Sequence, residues 1–287
     1  MKYYDRRSGQ YVEEKESGQK ALDFLYKNPF GRLVLKLAIN PAISKVYGVF
    51  NNSSFSAKKI DKFITDNGID MRDFEKRKFT SFNDFFTRKL SDGAREICME
   101  KESFISPCDS KLLAYKITED LMVDIKGSTY NLAELVGNKI DTSSFNGGWC
   151  LIFRLCVDDY HRYIYLDDGR LDKTLEIQGK LHTVRSISKD YRIYKENSRT
   201  VSLLHTENFG EIIQIEVGAM FIGKVTNNNK ENFKKGDEKG FFEFGGSTIA
   251  VLVQDKKIEL HQDIIDNSRN DIESKVRCGE VIGRKIC

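Results

Sequence analysis

Three short polar segments of the chain carry residue types that proton transfer and nucleophilic attack require. Asp109 lies in a turn after Pro107, His161 follows an apolar run, and Ser247 follows Gly246 between two apolar runs. A carboxylate, an imidazole and a hydroxyl are groups that acid–base and nucleophilic catalysis use. Each segment also has an ordinary structural explanation: a Pro-x-Asp turn, a surface or structural histidine, and a tight Gly-Gly-Ser hairpin.

The sequence around Ser247 favours attack on its own backbone over attack on an external ester. The hydrolase pattern Gly-x-Ser-x-Gly is absent, and residues 249–253 are typical of a strand, not a helix. Because Gly246 has no Cβ, the Ser247 hydroxyl can approach the Gly246 carbonyl. Attack there converts the amide into an ester. Elimination and hydrolysis then leave a pyruvoyl group at position 247 and release ammonia.

The front of the chain contains an amphipathic stretch. Phe30, Leu33, Val34 and Leu37 recur at helical spacing and therefore share one face of a predicted helix. Basic residues surround that face, namely Lys27, Arg32, Lys36 and Lys45. A helix packed on the protein's own core and a basic helix lying on an anionic membrane both explain this pattern. No apolar stretch reaches the roughly 20 residues of a membrane span, and the charged run after Met1 is not typical of a signal peptide.

The remaining elements predict the fold class. A second helix is expected around residues 58–67, and beyond about residue 103 short Val, Ile, Tyr and Phe runs predict strands. The expected strands include 151–157, 211–217, 241–244 and 249–253, whereas residues 1–18 are expected to be loose and 227–240 to form a loop. The prediction is an α+β fold in which an N-terminal region of amphipathic, membrane-associating helices (1–100) precedes a β-rich catalytic domain (101–287).

Composition excludes some classes of function. Lys and Arg number 46 against 43 Asp and Glu, which argues against a dedicated nucleic-acid-binding protein. The six cysteines include no Cys-x-x-Cys pair and no histidine at zinc-ligand spacing. We therefore expect free thiols in a reducing cytoplasm and no metal site.

In order along the chain, the polar segments resemble the phosphatidylserine decarboxylase family. The resemblance extends from about Ala21 to the C-terminus. Its segments are Phe-Asn-Asp-Phe-Phe-Thr-Arg at 82–88, Ser-Pro-x-Asp at 106–109, Asp-Tyr-His-Arg at 159–162, 179–184, Val-Gly-Ala at 217–219, 235–240 and Gly-Ser-Thr at 246–248.

The resemblance implies a role for each candidate residue. Cleavage between Gly246 and Ser247 would give a beta chain (1–246) and an alpha chain (247–287), with the pyruvoyl cofactor formed from Ser247. Asp109 would orient His161, and His161 would take the Ser247 proton. The implied enzyme is a carboxy-lyase that converts phosphatidylserine to phosphatidylethanolamine and CO₂, without a metal or a diffusible cofactor.

Some positions depart from the family pattern. Many members have a second histidine three residues after the first, where this chain has Ile164. His161 is therefore expected to act alone. Cys108 and Ser110 stand where alanine and glycine are common, and Gly-Gly-Ser-Thr replaces the common Leu-Gly-Ser-Thr while keeping both residues of the scissile bond.

A membrane-lipid substrate favours the membrane explanation of the front helix. The implied enzyme is a peripheral protein on the cytoplasmic face of the cell membrane. It would act on phosphatidylserine in an anionic membrane as a heterodimer of its own two chains, without nucleic acid, and a homodimer is left open. Three alternatives are a pyruvoyl decarboxylase for a soluble amino acid, a non-enzymatic lipid-binding protein, and an uncut serine hydrolase acting on lipid esters through Asp109, His161 and Ser247.

Overall fold

The helices in the described part of the chain are short. The computed structural model describes residues 2–14, 24, 28, 48–118, 122–125, 128–178, 198–218, 225–243 and 247–286. Its α-helices are α1 (Ile60–Asn67), α2 (Phe82–Phe86), α3 (Leu132–Leu135) and α4 (Gln262–Arg269), with 3₁₀ helices at Ser54–Lys59 and Ser143–Phe145. The predicted helix around 58–67 is confirmed. The predicted amphipathic helix, with its stripe from Phe30 to Leu37 and its basic residues from Lys27 to Lys45, lies outside the described residues.

Local sequence explains where the helices near the site begin and end. Ser81 caps α2, because its side chain accepts a hydrogen bond from the backbone N–H of Asp84. Gly68 ends α1 with a φ of 61°, a left-handed conformation that glycine adopts without a steric penalty.

Strands dominate the remainder of the described chain. They are β1 (Lys2–Asp5), β2 (Gln10–Glu13), β3 (Ser103–Ile105), β4 (Ser110–Lys116), β5 (Met122–Ile125), β6 (Ser128–Asn131), β7 (Trp149–Leu155), β8 (Arg162–Ile164), β9 (Gly169–Ile177), β10 (Arg199–Thr206), β11 (Gly210–Val217), β12 (Val225–Asn227), β13 (Asn232–Phe233), β14 (Glu238–Phe242), β15 (Ser247–Val253), β16 (Ile258–Leu260), β17 (Glu273–Val276) and β18 (Val281–Lys285). The β-rich prediction is thereby confirmed.

Ten strands form one large sheet in the order β13-β9-β10-β11-β15-β7-β4-β17-β1-β2. Neighbouring strands run antiparallel, except for the parallel pair β1 and β17. Three smaller sheets have the orders β12-β14-β8, β16-β18-β3 and β5-β6. The expected loop at 227–240 is partly wrong, because it contains β13 and the start of β14.

The expectation that residues 1–18 are loose is wrong for the N-terminal hairpin. Tyr3 of β1 lies opposite Glu273 of β17, and Lys2 lies opposite Glu13 of β2. The hairpin is the half-exposed edge of the large sheet, so its strands need no apolar alternation. Its sequence lacks the apolar alternation from which strands elsewhere in the chain were predicted.

The centre of the large sheet is buried on both faces. Every residue of β7 and every residue of β15 is buried. Continuous apolar runs of this length are typical of fully buried strands, and burying one large apolar side chain contributes about 1.5–3 kcal/mol. Ser247 is therefore the first residue of one of the most firmly held strands.

The described residues have two further properties. Within these segments, no helix combines the length and the apolar character that crossing a bilayer demands. The cysteines in the same segments are free thiols, namely Cys98, Cys108, Cys150, Cys156 and Cys278.

Candidate active site

Three adjacent strands bring Asp109 and Ser247 to one end of the large sheet. Ser247 pairs with Leu155, the last residue of β7, and Lys111 of β4 pairs with Arg154 on the other side of β7. Both flanking strands therefore begin where β7 ends. Because β7 lies between the two strands and each strand spacing is about 5 Å, the backbones of Asp109 and Ser247 are roughly 10 Å apart. Their side chains are too short to touch across that distance.

His161 approaches the same end of the sheet from the loop after β7. Its backbone oxygen accepts a hydrogen bond from Phe242 N at 3.0 Å, and Phe242 is the last residue of β14 before the segment that leads to Ser247. Its ring packs on Phe86 of α2 with 4.0 Å between ring centroids. The imidazole is fully buried. These contacts fix the histidine between α2 and β14.

Hydrogen bonding sets the form of the His161 ring. Nδ1 lies 2.9 Å from the backbone oxygen of Asp159. A carbonyl oxygen can only accept, so Nδ1 carries the hydrogen and Nε2 presents a lone pair. Burial lowers the pKa of His161 to about 4; the Asp159 carboxylate acts to raise this pKa and the Arg88 guanidinium to lower it. At neutral pH the ring is therefore an uncharged base.

Ser247 contributes a buried hydroxyl. The residue is fully buried, and neither its Oγ nor Nε2 of His161 has a hydrogen-bond partner among the described residues. The neighbouring Thr248 Oγ1 likewise has no hydrogen-bond partner within the described segments. Buried polar groups without partners are uncommon in folded proteins. The fold places a hydroxyl donor and an imidazole acceptor at one end of the sheet without a hydrogen bond between them.

Asp109 faces a different set of partners from the one predicted. Its Oδ1 accepts a hydrogen bond from Cys278 N at 2.8 Å, and its Oδ2 accepts one from Arg95 Nη2 at 3.1 Å. Burial raises the pKa of Asp109, and the Arg95 guanidinium and the Cys278 N–H oppose this shift. Among the described residues the Asp109 carboxylate is held by Arg95 and Cys278, and the Asp159 carbonyl lies at Nδ1 of His161. The expectation that Asp109 orients His161 stays a prediction, as does its catalytic role.

A small cleft of about 150 Å³ opens beside this carboxylate. Asp109 and Asp159 are among its lining residues, whereas His161 and Ser247 are not. The described residues contain no group of three or more His, Cys, Asp or Glu side chains placed to bind a metal ion.

Two site residues were not identified as such from the sequence. Arg88, fully buried, donates to the backbone oxygens of Asp158 and Asp159 at 3.2 and 3.3 Å. The segment 82–88 contributed to the resemblance, yet nothing in it assigned a role to Arg88 or Phe86. The sequence offered one indication of a role for Arg88: it is an arginine two residues after an aromatic helix. An apolar residue at a buried position there would cost less free energy.

Comparison with known proteins identifies the family. A sequence profile described as phosphatidylserine decarboxylase matches residues 82–284, a range that contains Asp109, His161 and Ser247. The chain belongs to the phosphatidylserine decarboxylase family. The match begins at Phe82, so α2 and Arg88 lie within the matched region.

Relatives of this family match nearly the whole chain. Phosphatidylserine decarboxylase proenzyme 2 of Clostridium acetobutylicum is 49% identical over 275 residues, which cover 95% of this chain and 94% of that protein. The phosphatidylserine decarboxylase proenzyme of Clostridium botulinum (strain 657 / Type Ba4) is 41% identical, with 99% of each chain covered. That of Clostridium novyi (strain NT) is 39% identical, with both chains fully covered. The resemblance to the phosphatidylserine decarboxylase family is therefore confirmed.

Proposed function

We propose that this chain is a phosphatidylserine decarboxylase that cleaves its own Gly246–Ser247 bond and converts phosphatidylserine to phosphatidylethanolamine and CO₂. The observation that carries the proposal is the buried hydroxyl of Ser247 at the start of β15, which has no hydrogen-bond partner in the described part of the chain and lies inside the region that matches the family. The relatives' names, which call them proenzymes, support a processing step. Gly246 itself lies outside the described residues.

The side chains support a stepwise cleavage. His161 Nε2 takes the proton of Ser247 Oγ while that oxygen attacks the carbonyl carbon of Gly246. The C–N bond between the two residues breaks, an ester forms, and the proton passes to the released nitrogen. Loss of the Cα proton of residue 247 then breaks the Cβ–Oγ bond and leaves Gly246 with a free carboxylate. Water replaces the nitrogen of the resulting dehydroalanine, so ammonia leaves and a pyruvoyl group remains.

The residues present fit a pyruvoyl group at position 247, because Ser247 and His161 are both fully buried at the same end of the large sheet. A pyruvoyl group supplies a ketone conjugated with a carbonyl, an electron sink for the loss of CO₂ from an amine bound to it. His161 would return a proton to the carbon that has lost CO₂. Its lowered pKa keeps it neutral until it takes up a proton during the reaction.

The serine hydrolase alternative is not favoured by the surroundings of Ser247. The serine begins a strand in the centre of the sheet, whereas a hydrolase elbow presents its serine on an exposed turn before a helix. A fully buried hydroxyl is reached more easily by the preceding backbone carbonyl than by an external ester.

The purified enzyme is expected to consist of two chains, residues 1–246 and 247–287. The smaller chain should begin with pyruvoyl, so Edman sequencing should fail on it, and borohydride with phosphatidylserine should attach the lipid amine there. Intact mass spectrometry makes this measurement, with Ser247→Ala as the uncut control. A single full-length chain in fully active enzyme contradicts the proposal. Trapping of free serine in place of the lipid would indicate the soluble amino acid decarboxylase.

An exposed apolar and basic surface, here called the 49–59 surface, supports a location on an anionic membrane. Val49 is 72% exposed and Phe55 is 74% exposed. The Lys59 ammonium lies 4.3 Å from the ring centroid of Phe50, and the Lys58 ammonium lies 6.0 Å from that of Phe55. Each lysine near an anionic surface contributes about 1 kcal/mol, and each inserted phenylalanine about 1.5–3 kcal/mol.

This surface is joined to the catalytic region. Ser56 Oγ accepts a hydrogen bond from Phe82 N at 2.9 Å, and Phe82 begins the helix whose Phe86 packs on His161. A protein lying on the membrane through the 49–59 surface would hold its active site close to the lipid headgroups. We place the enzyme on the cytoplasmic face of the membrane as a peripheral protein.

Replacing both Val49 and Phe55 with aspartate should release the protein from vesicles containing anionic lipid. The charges remove apolar area from the lipid contact and repel anionic headgroups. Flotation of the protein with vesicles measures the effect, and Met99→Asp, another exposed apolar position, is the matched control. Chain cleavage in the same samples reports on folding. If the double variant floats as well as the wild type does, the 49–59 surface does not hold the protein on the membrane.

A further inference from the structure

Arg88 is a buried cation directly after α2, and its hydrogen bonds end on backbone carbonyls. Its Nη2 donates to the oxygens of Asp158 at 3.2 Å and Asp159 at 3.3 Å. The guanidinium carbon lies 4.2 Å from the ring centroid of Phe74 and 5.0 Å from that of Phe85. The aromatic rings hold the plane of the guanidinium, so its donors point at the loop between β7 and His161.

One carbonyl oxygen connects Arg88 to the catalytic base. The Asp159 oxygen that accepts from Arg88 Nη2 also accepts from His161 Nδ1, at 2.9 Å. A carbonyl oxygen has two lone pairs and can satisfy both donors. The position of this oxygen is therefore set by Arg88, and the oxygen in turn sets the orientation and tautomer of the imidazole.

The carboxylates of Asp109, Asp158 and Asp159 act to raise the pKa of Arg88, but among the described residues none of them bonds to it directly. Among the described residues no Asp or Glu forms an ion pair with it, and its Nε and Nη1 have no hydrogen-bond partner. The nearby Asp109 is already held by Arg95 and by the N–H of Cys278. Burial lowers the pKa of Arg88 to about 10, which reflects the cost of keeping a charge there. A methionine would fill the space without that cost.

We propose that Arg88 is a positioning residue for His161, holding the Asp159 carbonyl so that Nδ1 carries the hydrogen and Nε2 remains free for the Ser247 proton. The inference rests on the proposed self-cleavage. In this proposal Arg88 and the Asp159 carbonyl orient His161, a role that the family resemblance had suggested for Asp109.

The charge of Arg88 has a second consequence for the base. Two charged groups act on the ring: the Asp159 carboxylate, from its own loop, favours the protonated form, and the Arg88 guanidinium, at the end of α2, disfavours it. Phe86 of α2 packs on the ring itself, and the N–H of Phe242 in β14 bonds to the backbone oxygen of His161. Removing the cation should raise the pKa of His161. Since only the neutral ring accepts a proton, the cleavage rate should then fall at a higher pH than in the wild type.

The test compares Arg88→Met, Arg88→Lys and a matched control, Arg199→Met. Arg199 is also buried and donates to two backbone carbonyls, those of Glu134 and Leu135, at 2.8 and 2.7 Å. Gels follow precursor cleavage against pH. Arg88→Met should cleave about 10- to 100-fold more slowly at neutral pH, as for other losses of an orienting partner. In Arg88→Met the pH at which the cleavage rate falls to half should be higher than in the wild type. Arg88→Lys should keep the wild-type value of this pH, and Arg199→Met should keep the whole dependence of rate on pH.

A second measurement reads the tautomer directly. Nitrogen-15 NMR of the histidine rings in the uncut Ser247→Ala precursor, assigned by difference with His161→Ala, should show a hydrogen on Nδ1 of His161. Adding Arg88→Met should produce a mixture of tautomers. An unchanged tautomer together with a wild-type cleavage profile in a folded Arg88→Met protein overturns the proposal. If that variant does not fold, Arg88→Gln, which keeps a donor but removes the charge, takes its place. An unchanged tautomer together with a wild-type cleavage profile in Arg88→Gln then overturns the proposal. Failure of the wild type to cleave contradicts the proposed function, but the precursor spectra still decide the role of Arg88.

Discussion

Replacing Ser247 with alanine is expected to abolish both chain cleavage and decarboxylation. Without Oγ no atom attacks Gly246, and no pyruvoyl group forms. His161→Ala should leave the chain mostly uncut, because losing a general base costs about 10²- to 10⁴-fold in rate and Ile164 cannot replace it. Asp109→Asn should cleave slowly but measurably, since asparagine keeps an acceptor for the Cys278 N–H and loses only the charge facing Arg95.

A time course of cleavage on denaturing gels ranks the three variants. His205→Ala is the matched control, because this histidine lies at the end of β10 beside Asp172 and Glu211 and belongs to no part of the proposed site. The cleavage rate is expected to fall most in Ser247→Ala, less in His161→Ala and least in Asp109→Asn. Cleavage of His161→Ala at the rate of the control would mean that another residue is the base.

Replacing Lys239 with methionine is expected to destabilise the protein by about 3–5 kcal/mol, because it leaves a buried carboxylate unpaired. Lys239 is 1% exposed and Glu216 is 0% exposed, and their charged atoms are 2.7 Å apart. The double variant Lys239→Met with Glu216→Gln should recover much of the lost stability, since neither position then carries a buried charge.

The same pair links the two halves of the proposed site. Lys239 lies in β14, which pairs with the strand after His161, and Glu216 lies in β11, which pairs with the strand that begins at Ser247. Lys239→Met should therefore also slow cleavage. Urea unfolding of the Ser247→Ala precursor measures the stability change, and Lys230→Met, which breaks an exposed ion pair with Asp237, should change it by less than about 1 kcal/mol. A double variant no more stable than Lys239→Met would contradict this account.

The sequence predicted the centre of the fold better than its edge. The strand expected at 249–253 lies within β15 and that at 151–157 overlaps β7, because both are apolar runs buried on two faces. The sequence did not predict the hairpin β1–β2. Its place in the sheet depends on pairing with β17, a strand about 270 residues away, and not on the hydrophobic pattern of the hairpin itself.

The candidate site was predictable only where side-chain identity carries the chemistry. His161 is marked by its flanking charged and aromatic residues, and Ser247 by the glycine that precedes it. The acceptor of the His161 Nδ1 hydrogen is a backbone oxygen, which every residue has, so no residue pattern could mark Asp159 for that role. The family resemblance implied that role for Asp109, and only the structure shows that Arg95 and Cys278 bond to its carboxylate.

The position of β15 determines how the two fragments would behave after cleavage. The smaller fragment would supply β15, between β11 and β7, and β17, between β4 and β1, so it is interleaved twice with the larger one. The two fragments would then behave as a split protein held together without a covalent link. Their dissociation requires the centre of the sheet to open, and refolding after denaturation becomes a bimolecular reaction that depends on concentration. The precursor can fold as a single chain, and the mature enzyme inherits a topology that its separated fragments would have to rebuild.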